Sequence, residues 1–191
     1  MRFLAALSFL TIIPWPRWRG ASPEEVGRSI GYFPVVGIII GLSLAGLSWL
    51  LSQILPSFVA RALLIVYLVV ISGALHLDGF IDTCDGIAGH RTVEERWWIM
   101  HDSRSGAFGI VGAFLLLLVK YVSLISVPDS LLLATLVLMP VVSRWAMVYA
   151  VFAHPYARPT GLGKAFKQGA NWPNFTIATV ITLAVAAYQH S

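Results

Sequence analysis

The sequence predicts an all-α, polytopic integral membrane helix bundle. It has about five spans after an N-terminal interfacial or re-entrant helix, in one domain over 1–191. Three observations predict this. Of the 191 residues, 58% are hydrophobic and 12% charged, against about 25% charged in ordinary soluble domains. Mean hydropathy is +0.79. Apolar runs recur at 32–52, 61–77, 106–126, 131–153 and 174–189, and a spanning helix needs roughly 17–25 mostly apolar residues. Backbone groups in lipid must be satisfied within the segment, so the runs are read as helices. The alternating pattern of a membrane barrel does not recur.

In chain order, 1–31 comes first. "FLAALSFLTII" (3–13) is too short to span, and "PWPRWRG" follows it in place of a small-residue cleavage site. It reads as an interfacial segment with Trp15 and Trp18 at headgroup level. The first two spans follow, at 32–52 and 61–77. Segment 78–105 is acidic, 154–173 is a Pro/Gly-rich loop, and the remaining spans lie between and after them.

Charge sets the orientation. Alternation puts 1–31, 78–105 and 154–173 on one side, with ten Lys and Arg residues; the other side has Arg61 alone. Such a bias marks the cytoplasmic face. The expected location is the prokaryotic cytoplasmic membrane, with 78–105 facing the cytoplasm. The basic residues flank spans and no nucleic-acid-binding motif is present, so the net charge of +4 reports topology and nucleic acid is not an expected partner. The sequence leaves a homo-oligomer open.

Segment 78–105 carries the chemistry. It holds six acids and three arginines. Asp78, Asp82 and Asp85 are spaced i, i+4, i+7, which places them within about 60° on a helix. Like charges so placed repel, and a cation turns that liability into a site. Carboxylate oxygens suit Mg²⁺ or Mn²⁺, which bind one or two carboxylates plus substrate phosphates. A helix end fraying into solvated acids is the plainer alternative, and the adjacent glycines at 79, 86 and 89 weigh against it. Cys84 lies between two of the acids; a packing role outweighs a nucleophilic one. Further on, "SRSGAFG" opens the 106–126 span. A helix start favours phosphate, and the planar fork of Arg104 suits phosphate oxygens. The combination points to metal-assisted transfer of a phosphate-bearing group.

Arg144 lies well inside the fourth span. An arginine there costs at least ~2.5 kcal/mol on insertion scales, so it needs a partner or a wet cavity, and a functional role is preferred. Arg158, in "HPYARPTGLG", is a candidate second wall of a phosphate pocket.

"HLDGFIDTCDG", "IMHDSRSGAFG", "GYFPVVGIIIG", "SRWAMV" and "PYARPTGLG" together resemble the cobalamin synthase family, the adenosylcobinamide-GDP ribazoletransferases. The likeness runs in order to about residue 163. It implies a Mg²⁺-dependent integral membrane enzyme joining adenosylcobinamide-GDP to α-ribazole or its 5′-phosphate, with release of GMP. By motif position, Asp78, Asp82 and Asp85 become metal ligands and Asp85 and Asp102 catalytic carboxylates, with Asp102 favoured as the base. His76, Arg104, Arg144 and Arg158 fall on the substrate side. Chains of that family carry one or two further spans, so the resemblance implies a C-terminally shortened bundle here. Two alternatives stand beside it. "DTCDGIAG" also looks like part of the CDP-alcohol phosphotransferase signature, but Gly89-His90 replaces its Ala-Arg. A cation transporter would place acids inside the spans, whereas these cluster at one edge.

Overall fold

The computed structural model describes residues 2–13, 22–89, 92–102, 104–157 and 161–189. They are helical wherever the sequence is periodic or continuously apolar: α1 (Arg2–Leu10), α2 (Pro23–Gly27), a 3-10 turn (Ile30–Tyr32), α3 (Phe33–Ser52), α4 (Ser57–Ile71), α5 (Leu75–Ile87), α6 (Val93–Ile99), α7 (Ala107–Ile125), α8 (Asp129–Ala153), α9 (Leu162–Gly169) and α10 (Trp172–Tyr188). No strand occurs among the described residues, and the chain is an all-α membrane protein. Ile30–Ser52, α7 and α8 are long and apolar enough to cross a membrane, α10 is a shorter apolar helix, and α4 with α5 form a bent apolar pair.

The described residues divide into two compact units, Met1–Ile54 with Pro128–Ser191, and Leu55–Val127. The first is organised on the α3–α8 pair. Val36, Ile40 and Leu44 on α3 and Leu136, Val141 and Val148 on α8 are its buried core. Gly37 and Gly41, one turn apart, let the backbones close up: a Cβ on either would lie 2.7 Å from the Cα of Val141 or Val137. In lipid such close packing, rather than water release, drives helix association. Pro140 lies inside α8 on this seam. Phe9, Phe33 and Phe166 cluster with centroids 4.9–6.1 Å apart, joining α1, α3 and α9. Lys167 of α9 donates to the Val151 and Phe152 carbonyls at 3.0 and 2.9 Å, satisfying the end of α8 with a cation.

The second unit holds α4 to α7. Arg61, on the second turn of α4, is buried. Its Nη1 faces the carbonyls of Leu124, Ile125 and Val127 at 2.8–2.9 Å, so it closes the C-terminus of α7. The expected span 61–77 is interrupted. Gly73 N–H donates to Val70 O and Ala74 N–H to Val69 O, both at 2.9 Å, the paired bonds of a Schellman ending with glycine at the left-handed position. Gly73 (φ 59) and Ala74 (φ 57) both lie in that region, and α5 leaves α4 at 87°. Thr92 and Glu95 form a capping box that starts α6.

Candidate active site

The break at Gly73 begins a new helix just before the acids. Asp78 falls in the first turn of α5, where a negative charge suits the positive end of the helix dipole. Asp82 and Asp85 follow on the same face, as the spacing predicts. Asp78 is exposed, while Asp82 and Asp85 are half-buried. Partial desolvation, then the charges of Asp78 and Asp85, push the Asp82 carboxyl upward from its ordinary value, and His101 pulls it partly back.

His101 was not picked out from the sequence. Its Nδ1 lies 2.6 Å from the Trp97 carbonyl oxygen. A carbonyl only accepts, so Nδ1 carries the proton. The i, i+4 spacing to Trp97 on α6 was the signal available.

Asp85 is differently engaged. Its Oδ2 accepts from the Gly106 N–H at 2.7 Å and its Oδ1 from the Gly109 N–H at 2.8 Å. Asp102 accepts from its neighbour: Arg104 Nη2 donates to Oδ2 at 2.8 Å, Nε to Oδ1 at 3.1 Å, and the Arg104 backbone N–H to Oδ1 at 3.0 Å. The hydrogen bonds from Arg104 hold the Asp102 carboxyl below its ordinary value. Arg104 is 81% exposed and Asp102 21%. A polar cavity of about 170 Å³ is lined by Asp85, Ile99, Asp102, Arg104, Gly106 and Phe108. Asp85, Asp102 and Arg104 therefore share one wall system at the start of α7.

The other expected residues fall as follows. His76 is half-buried on the first turn of α5. Arg144 is buried on α8 in the first unit, 4% exposed, and its Nε has no hydrogen-bond partner among the described residues. Arg158, like Trp15 and Trp18, lies outside the described residues.

Among the described residues no three His, Cys, Asp or Glu side chains converge as a ready metal cage. The donor chemistry on α5 still fits Mg²⁺. That ion uses one or two carboxylates and completes its shell with water and substrate phosphate, and Asp78 and Asp82 are two such oxygen donors one turn apart.

The sequence matches the cobalamin-5-phosphate synthase family over residues 2–190. The chain belongs to that family. An adenosylcobinamide-GDP ribazoletransferase from Geotalea daltonii is 41% identical over 181 residues, covering 95% of this chain and 73% of that one. Proteins of the same description from Desulforamulus reducens and Fusobacterium nucleatum are 37% and 38% identical, covering 94% and 95% of this chain and 72% and 68% of theirs. No solved structure matches the chain. In this cobalamin-5-phosphate synthase family chain, the stretches "HLDGFIDTCDG" and "IMHDSRSGAFG" supply α5 and the start of α7, whose residues line the polar cavity.

Proposed function

We propose that the chain joins adenosylcobinamide-GDP to α-ribazole or its 5′-phosphate, giving adenosylcobalamin or its 5′-phosphate and GMP, at the cytoplasmic face of the bacterial inner membrane. The observation that carries this reading is the juxtaposition of Asp102, Arg104 and the α7 start around one polar cavity, in a chain matched to the synthase family from end to end.

The 3′-hydroxyl of the ribazole attacks the phosphorus bonded to the cobinamide aminopropanol oxygen. A new P–O bond forms, the bond to the GMP oxygen breaks, and the hydroxyl proton passes to a carboxylate. Asp102 is that carboxylate: it lines the cavity and, like any ordinary aspartate, is ionised at neutral pH, with Arg104 holding its proton affinity lower still. Arg104 is exposed on the cavity side and carries the fork that phosphate oxygens accept from. As the fork turns to the diphosphate, Asp102 loses donors and becomes the stronger base. Asp78 and Asp82 would hold the Mg²⁺, with the Asp85 carboxylate beside them; when bound, it neutralises charge on the diphosphate and the departing phosphate. His76, on α5, stands on the substrate side in this reading; substrate roles for Arg144 and Arg158 rest on motif position alone.

The direct test is GMP release by membranes containing the chain, given adenosylcobinamide-GDP, α-ribazole and Mg²⁺. Absence of GMP with folded protein refutes the reading.

Two predictions arise here. Replacing Arg104 by Ala lowers kcat/KM for adenosylcobinamide-GDP by roughly ten- to 150-fold, the worth of one charge-assisted phosphate contact. Added Mg²⁺ does not restore the rate, and Arg104→Lys restores it only in part. The acid limb of the pH profile moves to higher pH, because Asp102 regains its ordinary proton affinity. Recovery of the wild-type rate by Mg²⁺ alone defeats this assignment. For topology, Glu94 is exposed on α6. In a Cys84→Ala background, a Glu94→Cys chain stays unlabelled by an impermeant maleimide outside intact cells and becomes labelled after lysis; external labelling reverses the orientation.

A further inference from the structure

Asp85, on the acidic face of α5, meets α7 at backbone amides. Gly106 is the N-cap of α7 and makes no side-chain cap, and Gly109 lies three residues further on. Their N–H groups belong to the set that a helix start leaves without intrahelical acceptors. Elsewhere a Ser, Thr or Asp at the cap supplies the acceptor. Here both oxygens of Asp85 do so, from 21 and 24 residues away. The approach depends on glycines three residues apart, at the N-cap and on the first turns of α7. A Cβ at Gly106 or Gly109 would overlap the Asp85 carboxylate, and one at Gly112 would lie 2.7 Å from the Cys84 sulfur. Gly106, Gly109 and Gly112 thus form a bare track on α7 against which α5 lies.

A carboxylate in this place has a cost for phosphate binding. It fills the positive helix end that an anionic substrate group would otherwise use, which leaves the phosphate to Arg104. It also fixes the relation between two sets of groups, Asp78 and Asp82 on α5, and the Asp102–Arg104 lip that runs into α7. We infer that Asp85 is a positioning residue for the transfer reaction, acting through the Gly106 and Gly109 amides, and serves neither as third metal ligand nor as proton carrier. This rests on the proposed function.

The test uses the full chain in nanodiscs, as wild type, Asp85→Asn and Gly109→Ala. Asparagine keeps the shape but offers one acceptor oxygen and presents an NH₂ to the other backbone N–H. Gly109→Ala keeps the carboxylate but displaces it from the amides. Three quantities are read: thermal melting, Mn²⁺ affinity from the electron paramagnetic resonance of the free ion, and kcat with KM for adenosylcobinamide-GDP. The expected result for both variants is a folded protein with Mn²⁺ affinity near that of wild type and a kcat lower on the order of 100-fold, the scale of an ångström's misplacement. KM changes little, and excess Mg²⁺ rescues neither variant.

A fall in Mn²⁺ affinity of about tenfold or more in Asp85→Asn alone, with rescue by excess Mg²⁺, makes Asp85 a ligand and overturns the inference. Wild-type kcat in either variant overturns it too. If Asp85→Asn does not fold, Gly109→Ala decides by the same criteria; if neither folds, the contact serves the fold alone and the inference fails. A wild-type chain that releases no GMP fails the functional reading instead, and that outcome is read before any variant is compared.

Discussion

Removing either carboxylate that would hold the cation, as in Asp78→Ala or Asp82→Ala, is expected to cost about 4 kcal/mol of transition-state stabilisation, close to three decades in kcat/KM. The two side chains share one face of α5, a turn apart, and the Asp82 carboxyl is raised by partial burial and then by its neighbours' charges. With one gone, the remaining carboxylate is a weaker holder of Mg²⁺, so activity in both variants should climb again as Mg²⁺ is raised. Glu94→Gln, a change at an exposed acid of α6, serves as the control and should leave the rate alone. Near-normal turnover with an unchanged Mg²⁺ response in both alanine variants would move the cation site off α5. The pair also carries a stability signature of opposite sign. Like charges at i, i+4 cost roughly 0.2–0.5 kcal/mol, so without divalent ions Asp82→Asn should melt slightly above wild type, and with Mg²⁺ below it.

The second large effect is on stability and lies away from the chemistry. Arg61→Ala takes a buried guanidinium from three carbonyls at the end of α7. Hydrogen bonds from a charged donor and the interaction of a cation with a helix C-terminus together make the loss about 3 kcal/mol. For a chain of this size that is a fall in melting temperature of about 6 °C or more. Lysine at 61 should recover part of it. Well below the transition, kcat and KM should stay at wild-type values, since Arg61 serves the fold of α4 and α7. A melting temperature within a degree of wild type would show that the carbonyls find other donors.

The sequence reading located the helices because a span is a long-range compositional signal. Each apolar run it marked overlaps a helix, and 61–77 straddles the break between α4 and α5. It missed the end of α4 because the run stays apolar through Leu77, and hydropathy is blind to backbone handedness. The signal was Gly73, whose left-handed conformation ends the helix. The shared face of Asp78, Asp82 and Asp85 was legible for the same reason as the helices, being a matter of spacing. The engagement of Asp85 is not, since its partners are backbone N–H groups at the start of another helix, and every residue but proline has one. The three glycines were the visible trace, yet small residues on an apolar helix have many uses. Arg61 was assigned only to a boundary, because its partners are likewise backbone carbonyls. For Arg144 the expectation of a partner or wet cavity meets a buried Nε without a hydrogen bond among the described residues.

The bend after Ile71 bears on the bilayer itself. The 15 residues of α4 rise about 22 Å, against a hydrocarbon thickness of about 30 Å. A segment that short is accommodated by thinning the surrounding lipid or by drawing flanking polar groups inward. Lipid chain length is therefore expected to act on this bend: short-chain lipids should relax the mismatch around α4, and long-chain lipids should load it onto the turn at Gly73.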